Sequence, residues 1–280
     1  MSNILITGCS SGFGELTALA LARRGDRVFA TVRRPDAERA LRERADAEKL
    51  ELSVHPLDVT NANAVERTVA EVADLGPVDV LVNNAGFAFR GPVESLADDE
   101  MLRQFDTNVF GVVRMVRAVV PSMRARGRGT IINLSSVTGL VGVPFEGAYA
   151  ASKHAVEGLS EALRFELADA GISVMLIEPG AYETGFVPNI AEARAFTAEH
   201  PGRPAYERLA QALQDGVHAA GRANPQEVVD AILDAVDHPD GPFRRTVGHD
   251  AELVARLKRE GSFEDFEAGI QSTMGIRAGQ

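Results

Sequence analysis

The chain has 280 residues, of which 45% are hydrophobic and 25% are charged, a composition typical of one large α/β domain or two small globular ones. Its net charge of −11 at pH 7 disfavours non-specific binding to nucleic acid or to an anionic membrane surface, and we expect neither partner. Cys9 is the only cysteine, which excludes an intrachain disulfide and a cysteine-based metal site.

In chain order, the sequence predicts a series of strands, each an apolar run bounded by glycine, proline or polar residues. They cover residues 3–7, 27–32, 50–57, 78–82, 129–134, 172–177 and 242–248. Helical periodicity is predicted between them at 15–24, 36–48, 61–74, 98–109, 110–125, 148–170 and 225–237, and two short helices are expected to end the chain. Thr60 is the predicted N-cap of the helix over 61–74, and Pro121 is a candidate kink.

Strands and helices alternate, and the strands are continuous apolar runs. This pattern is typical of a parallel sheet that is covered on both faces. We therefore predict a single α/β domain over residues 1–280, with a Rossmann-type, doubly wound, parallel seven-stranded sheet and helices on both of its faces.

Two segments depart from this alternation. Residues 181–224 mix short helical stretches with glycine and proline, so we interpret 183–224 as a substrate lid. Residues 249–280 are interpreted as a helical extension that either caps the sheet edge or blocks a tetramer face. The first residues, MSNILITG, resemble no signal peptide, and no apolar run approaches the length of a transmembrane helix, so we expect a cytoplasmic protein.

The stretch from Ser135 to Lys153, SSVTGLVGVPFEGAYAASK, contains a tyrosine followed four residues later by a lysine. If Tyr149 begins a helix, Lys153 lies one turn later on the same face. A neighbouring ammonium favours phenolate over phenol, so we expect the pKa of Tyr149 to fall from its ordinary value of about 10. A tyrosine tuned in this way is a general acid or base. An ordinary surface pair is the alternative, which the chain's use of only three tyrosines makes less attractive.

The loop from Thr7 to Gly14, TGCSSGFG, follows the first predicted strand and opens a helix. In that context, glycines allow a tight turn and the close approach of a pyrophosphate to backbone N–H groups, and the helix N-terminus stabilises the negative charge. The alternative is a plain strand-to-helix turn. Three glycines and two serines at the first such connection favour a phosphate-binding loop.

Five motifs, spread in order over residues 7–184, together resemble the short-chain dehydrogenase/reductase family. They are TGCSSGFG, Asp58 with Val59, the run Asn83-Asn84-Ala85-Gly86, the set Ser136, Tyr149 and Lys153, and Pro179-Gly180 followed by Thr184. The resemblance covers about two-thirds of the chain and is nearest to the 17β-hydroxysteroid and retinol dehydrogenase-like members.

This resemblance implies a nicotinamide cofactor and assigns residues to it. The pyrophosphate and adenosine ribose are expected to contact Gly8, Ser10, Ser11, Gly12, Phe13 and Gly14. Asp58 and Val59 are expected at the adenine ring, and Asn84, Ala85 and Gly86 against the adenosine ribose. The nicotinamide end is expected to contact Tyr149, Lys153, Pro179, Gly180 and Thr184.

The end of the second strand bears on the choice between NAD and NADP. Val32 stands where the family's NAD enzymes carry aspartate, and Arg33 follows it. A guanidinium is a planar donor fork suited to a phosphate, so we predict NADP(H), with Arg33 on the 2′-phosphate and Ser10 or Arg34 assisting. The alternative is that these arginines begin a helix on the solvent side, which the helix macrodipole opposes.

For the chemistry, the resemblance implies that Tyr149 gives a proton to a carbonyl oxygen during reduction, or takes one from an alcohol during oxidation. Lys153 lowers the tyrosine pKa and orients the nicotinamide ribose, and Ser136 hydrogen-bonds the substrate oxygen. Asn108, in DTNVFG, matches the family's asparagine that anchors a water in a proton relay. An interior polar residue at a helix junction is the alternative interpretation of Asn108.

The predicted substrate is a small apolar ketone or secondary alcohol, because the expected pocket walls are apolar. Val143, Phe145 and Phe186 are the candidate pocket residues. The alternatives are a non-enzymatic NADP-binding sensor or scaffold on the same fold, and, less favoured, an isomerase or epimerase. Members of the family commonly form oligomers, so we expect a homodimer or homotetramer through the helices around 98–125 and 148–170.

Overall fold

The computed structural model describes residues 1–186, 189–220 and 223–274. Its strands are β1 (Asn3–Ile6), β2 (Arg27–Val32), β3 (Leu52–Pro56), β4 (Val80–Asn83), β5 (Phe89–Arg90), β6 (Gly129–Leu134), β7 (Ile172–Pro179), β8 (Ala191–Glu192) and β9 (Arg244–Val247). Its helices are α1 (Gly12–Arg23), α2 (Pro35–Glu48), α3 (Ala62–Leu75), α4 (Asp98–Phe105), α5 (Gly111–Arg126), α6 (Gly147–Ala168), α7 (Arg203–Ala220), α8 (Gln226–Asp237), α9 (His249–Glu260) and α10 (Phe263–Met274).

The central sheet has seven parallel strands in the order β3-β2-β1-β4-β6-β7-β9, which confirms the predicted fold class. The chain first builds outward from β1 to β3 and then outward on the other side from β4 to β9. The strand order therefore reverses between β1 and β4. In doubly wound sheets ligands bind outside the carboxyl ends of the strands at such a switch point.

Each face of the sheet has its own apolar core. Successive strand residues point to opposite faces, so Ile4 and Ile6 of β1 pack in one core with α1 and α8, while Leu5 packs in the other. The second core contains buried residues of α3, α5 and α6, among them Val65, Met115 and Val156. Both faces of the sheet are therefore covered, as the continuous apolar strands predicted.

The start of α3 differs by one residue from the prediction. Thr60 is not the N-cap, because its backbone N–H and its hydroxyl both donate to Oδ1 of Asp58, at 3.0 and 2.7 Å. Asn61 is the N-cap instead, and its side chain accepts from the backbone N–H of Ala64 at 3.0 Å. Two neighbouring residues both suit a cap, and the turn at Asp58 decides between them.

The junction of α4 and α5 is a π-helical turn over Asp106–Phe110 and not a break between two ordinary helices. Such turns occur most often at functional sites, and this one contains Asn108. Pro121, the candidate kink, lies inside α5, which runs on to Arg126.

The lid predicted over 183–224 contains one longer helix, α7, where the sequence predicted only short helical stretches. Four residues of that range, Val187, Pro188, Gly221 and Arg222, lie outside the described residues. Of the two C-terminal helices, α10 packs on α7 and α9 packs on the edge strand β9. No helix in the described ranges is both long and apolar enough to cross a bilayer.

Candidate active site

The loop between β1 and α1 is fixed by the polar residues that follow β4. The Thr7 hydroxyl accepts from the backbone N–H groups of Asn84 and Ala85, at 3.1 and 3.0 Å. The Asn84 side chain donates back to the carbonyls of Thr7 and Gly8, at 2.8 and 3.0 Å. Gly8 has a φ of +75°, and a Cβ there would lie 2.7 Å from the Cα of Ala85. A glycine is therefore required at this position.

The helix α1 begins with donor groups that its own cap leaves free. The N-cap is Ser11, whose side chain makes no capping hydrogen bond. A Cβ on Gly12 would lie in van der Waals contact with Thr184, at 3.5 Å, so the bare glycine backbone leaves a narrow space between this loop and Thr184. Free N–H groups at a helix N-terminus beside a bare backbone fit a pyrophosphate. Thr184 and Gly185 lie directly against this loop, as a Cβ on Gly185 would come within 2.6 Å of the Ser11 side chain.

The residues predicted at the adenosine end lie at the carboxyl ends of β2, β3 and β4. Arg33 directly follows β2 and is exposed, and within the described part of the chain its guanidinium has no ion pair or hydrogen bond. Its neighbour Arg34 pairs with Asp36 at 3.3 Å. Asp58 is half-buried after β3, and Gly86 lies against Asn108, whose Oδ1 would be 3.3 Å from a Cβ on that glycine. Arg33 is thus free to meet an anion, whereas Arg34 already has a partner.

Ser136, Tyr149 and Lys153 meet beyond the carboxyl end of β6. Tyr149 lies in the first turn of α6, and the Ser136 hydroxyl is close enough to act on the pKa of its phenol. The Ser136 hydroxyl also accepts from the backbone N–H of Thr138 at 3.2 Å, which orients it. Lys153 is 6% exposed, and its Nζ donates to the backbone carbonyl of Leu134 at 2.7 Å and lies 5.6 Å from the centre of the Tyr149 ring.

The pKa of Tyr149 departs from the prediction. Burial raises the pKa of the Tyr149 phenol above its ordinary value, and the Ser136 hydroxyl acts in the opposite direction without reversing the shift. The predicted lowering by Lys153 is therefore wrong for this structure. Its ammonium is directed at the Leu134 carbonyl, and burial lowers the pKa of Lys153 itself to about 8.

Asn108 is almost completely buried, and its side chain ties the π-helical turn to two neighbouring segments. Its Oδ1 accepts from the backbone N–H of Phe87 at 3.1 Å, and its Nδ2 donates to the Phe87 carbonyl at 3.0 Å and to the Ser152 hydroxyl at 3.1 Å. Ser152 in turn donates to the backbone carbonyl of Tyr149 at 2.7 Å. Asn108 thus positions the first turn of α6.

Of the three predicted pocket residues, Phe186 lies beside the tyrosine, and Val143 and Phe145 lie in the loop before α6. The ring of Phe186 lies 5.7 Å from that of Tyr149. Phe145, which has an unusual positive φ of 65°, stacks on Phe196 at 5.8 Å and meets Tyr206 edge-on at 5.5 Å. Val143 is half-buried in the same loop as Phe145. The loop before α6 is therefore joined by stacked aromatic rings to Phe196 and Tyr206, which lie in the segment predicted to be a lid.

The segment after β7 is held by the C-terminal extension. Gly180 donates its backbone N–H to the Val247 carbonyl at 2.9 Å, and the N–H of Ala181 donates to Oδ2 of Asp250 at 2.7 Å. A Cβ on Gly180 would clash with the Asp250 carboxylate, so a larger residue there would displace that side chain. Pro179 is the last residue of β7. Asp250 thus fixes the loop that the sequence assigned to the nicotinamide end.

Several residues that build the site escaped the sequence analysis. Thr7 and Ser152 lie inside the recognised motifs, so their positions could have indicated that their hydroxyls help to build the site. Asp250 and the aromatic residues Phe196 and Tyr206 lie in segments that contain no recognised motif. Over the described residues, no group of three or more histidine, cysteine, aspartate or glutamate side chains is placed to hold a metal ion.

Known proteins resemble this chain over most of its length. The family model described as short chain dehydrogenase matches residues 2–195. A 3-ketodihydrosphingosine reductase of Bacteroides thetaiotaomicron is 38% identical over 250 residues, covering 88% of this chain and 87% of the relative. Retinol dehydrogenase 8 of Homo sapiens is 39% identical over 252 residues, covering 86% of this chain and 80% of the relative.

Solved structures agree with these relatives. A short-chain dehydrogenase from Streptomyces avermitilis superposes with a TM-score of 0.79 at 34% identity, covering 96% of this chain and 99% of that chain. An actinorhodin polyketide ketoreductase with NADPH is 32% identical (TM-score 0.75), with 87% of this chain and 94% of that chain covered. A short-chain dehydrogenase/reductase from Burkholderia phymatum in complex with NAD is 27% identical (TM-score 0.79), with 96% and 95% covered. The chain therefore belongs to the short-chain dehydrogenase/reductase family, oxidoreductases that act on CH–OH groups.

Proposed function

We propose that this protein is an NADP(H)-dependent oxidoreductase that interconverts an apolar ketone and a secondary alcohol, with Tyr149 as the general acid and base. The observation that carries the proposal is the meeting of Ser136, Tyr149 and Lys153 at the carboxyl end of the sheet, where Thr184 bridges to the glycine loop. Bound NADP(H) supplies or accepts the hydride.

The chain's own residues divide the remaining work. Ser136 hydrogen-bonds the substrate oxygen and the phenol together, which places that oxygen within reach of the Tyr149 proton. The raised pKa keeps the phenol protonated near neutral pH, which suits proton donation to a carbonyl during reduction. Lys153 holds the ribose of the cofactor and adds positive charge beside the developing oxyanion.

The free N–H groups at α1 and the bare backbone at Gly12 fit a pyrophosphate, and Arg33 fits a further phosphate. Gly8, Ser10, Ser11, Phe13 and Gly14 complete the pyrophosphate site in this proposal. Asp58, Val59, Asn84, Ala85 and Gly86 hold the adenosine, and Pro179, Gly180 and Thr184 the nicotinamide.

Arg33→Ala is expected to lower the preference for NADP over NAD by about 10- to 100-fold, since one charge-assisted hydrogen bond to a phosphate contributes about 1.5–3 kcal/mol. The measurement is kcat/KM with each cofactor in the wild type and the variant. Arg39→Ala is the matched control, an exposed arginine on α2 one turn into the helix. A wild type that prefers NAD, or an equal effect of both substitutions, contradicts the assignment.

Apolar side chains near Tyr149 support an apolar substrate. Phe186 lies beside the tyrosine ring, and Val143 and Phe145 lie in the loop that leads into α6. The names of the two relatives, a 3-ketodihydrosphingosine reductase and a retinol dehydrogenase, agree with such a substrate. Membership of a family fixes the reaction class better than the substrate, so the pocket is what supports this step.

The test of the proposed function is a panel of ketones of increasing apolar surface, followed by NADPH oxidation. The proposal expects turnover to rise with apolar size and to be lowest for a phosphorylated sugar ketone. NADPH binding without turnover of any ketone would instead support a sensor or scaffold on the same fold.

The assembly and location follow from the same proposal. Large apolar side chains are exposed at Leu102 of α4, Phe110 of the π-helical turn and Phe165 of α6, at 65, 49 and 82%. Exposed apolar groups on these helices favour a homodimer or homotetramer, and a cytoplasmic location remains part of the proposal. Sedimentation decides between these states and a monomer.

A further inference from the structure

Helix α6 carries a second buried charge one turn beyond Lys153. Glu157 lies four residues later, so it shares the helix face of the lysine, and its side chain is 8% exposed. Both side chains pack on the end of β6. Lys153 donates to the Leu134 carbonyl, while Glu157 lies beside the next residue, since a Cβ on Gly139 would come 3.3 Å from Oε1 of Glu157 and 2.6 Å from Oγ of Ser135.

An arginine on the edge strand holds Glu157 in this position. Nε of Arg244 donates to Oε2 of Glu157 at 3.1 Å and lies 3.1 Å from Oε1 of Glu178. Thr246, two residues further along β9, donates its hydroxyl to Oε2 of Glu178 at 2.7 Å. Side chains two residues apart on a strand share a face, so Arg244 and Thr246 both point towards α6.

The charges in this cluster balance. The buried or partly buried groups are two cations, Lys153 and Arg244, and two carboxylates, Glu157 and Glu178. Within the described part of the chain, two further charged groups lie on this face of α6: Glu161, which is 53% exposed, and Arg164, which is half-buried and donates to the Val174 carbonyl at 2.7 Å. A buried ammonium without a partner gives up its proton, because burial penalises its charged form. Among the described residues, no carboxylate forms an ion pair with Lys153, and Glu157 is the buried carboxylate one turn along the same helix face.

We propose that Glu157, oriented by Arg244, is the buried counter-charge of Lys153 and keeps that lysine in its ammonium form. Glu157 is then a positioning residue that acts on the cofactor and substrate only through Lys153. The effect of Glu157 on catalysis rests on the proposed function, because that function gives the Lys153 ammonium its role. The pairing of Glu157 with Lys153 does not depend on the proposed function.

The directions of the pKa shifts agree with the pairing. Burial lowers the pKa of Lys153 to about 8, and the charge of Glu157 acts to raise it. Burial also raises the pKa of Glu157 to about 7, while Arg244 acts to lower it. The two shifts bring the pKa values of Glu157 and Lys153 towards each other, so the two groups are expected to titrate as a coupled pair.

The decisive experiment is a pH titration of the lysine side chains by NMR in the cofactor-free protein, labelled at lysine Cε. The chain has three lysines, and the exposed Lys49 and Lys258 are assigned by replacement with arginine. Glu157→Gln should lower the pKa of Lys153 by about one unit, because it removes a neighbouring negative charge without changing side-chain shape. Glu157→Asp keeps the charge and should restore most of the wild-type value.

Glu161→Gln is the matched control. Glu161 lies one turn further along α6 and accepts from the same arginine, from Nη2 of Arg244 at 2.5 Å, but it is exposed. Its replacement should leave the Lys153 pKa in place. An unchanged or higher Lys153 pKa in Glu157→Gln, or an equal shift in both variants, overturns the proposal.

The titration of the wild-type protein also tests whether Glu157 and Lys153 are paired, even if a variant folds poorly. Ionisation of Glu157 should appear as an earlier step in the Lys153 curve, because coupled groups titrate in two steps. A single step at the ordinary lysine pKa overturns the pairing.

Enzyme kinetics separates this inference from the proposed function. In Glu157→Gln the alkaline limb of ketone reduction should move to lower pH by the shift that NMR measures for Lys153. A wild type that reduces no ketone refutes the proposed function, and the NMR titration still decides whether Glu157 is the counter-charge.

Discussion

Replacing Tyr149 with phenylalanine is expected to lower ketone reduction by about 100- to 10,000-fold, the usual contribution of a positioned general acid. The substitution removes the phenolic proton and leaves the ring that packs against Phe186. The interaction of the phenol with the Ser136 side chain is lost, but the hydrogen bonds that orient Ser136 and Lys153 go to backbone groups and remain. The loss should therefore appear in kcat more than in cofactor affinity.

The measurement is steady-state ketone reduction together with the NADPH dissociation constant from the fluorescence of the bound cofactor, in a chain that has no tryptophan. Tyr206→Phe is the control, because it also removes one tyrosine hydroxyl. The Tyr206 hydroxyl accepts from Arg90 at 3.1 Å, and the Tyr206 ring packs against Phe145. Substantial residual turnover in Tyr149→Phe, or an equal loss in the control, argues against the proton-donor role.

The parts of this site that the sequence predicted are those encoded within one short segment. Gly8 to Gly14 form a loop between a strand and a helix, and Tyr149 and Lys153 are one turn apart, so spacing alone brought each set together. The alternation of apolar strands with helices then fixed the sheet and the edge at which these segments meet.

The parts that the sequence did not predict depend on residues that are distant in the chain. Arg244 meets Glu157 across 87 residues, and Asp250 meets Ala181 across 69, and no local pattern marks either pair. The pKa of Tyr149 was predicted in the wrong direction for a related reason. Spacing shows that a lysine is near the tyrosine. Only the packed structure shows that the phenol is buried, and burial raises its pKa.

Two glycines of the phosphate loop are expected to differ in what they do, although the sequence motif treats them alike. Gly14 lies inside α1, and a Cβ there would meet Nδ2 of Asn84 at 2.3 Å and the Gly8 carbonyl oxygen at 2.5 Å. Gly14→Ala should therefore push Asn84 off the loop and lower the free energy of unfolding by about 1–3 kcal/mol, the usual cost of overpacking. Thermal unfolding without cofactor measures this loss.

Gly12→Ala should instead leave the packing intact, because a Cβ there meets nothing within 3.4 Å, and cost only about 1 kcal/mol for its φ of +62°. Its added methyl group would contact Thr184 at 3.5 Å and would narrow the space beside the N–H groups of α1, where we propose that the pyrophosphate binds. We therefore expect the NADPH dissociation constant to rise at least about 10-fold, roughly 1.4 kcal/mol, with only a small change in unfolding temperature. Unchanged NADPH binding in Gly12→Ala would show that the loop does not hold the phosphates. A thermal loss in Gly12→Ala as large as that in Gly14→Ala would contradict this division of roles, which rests on the space in front of each backbone.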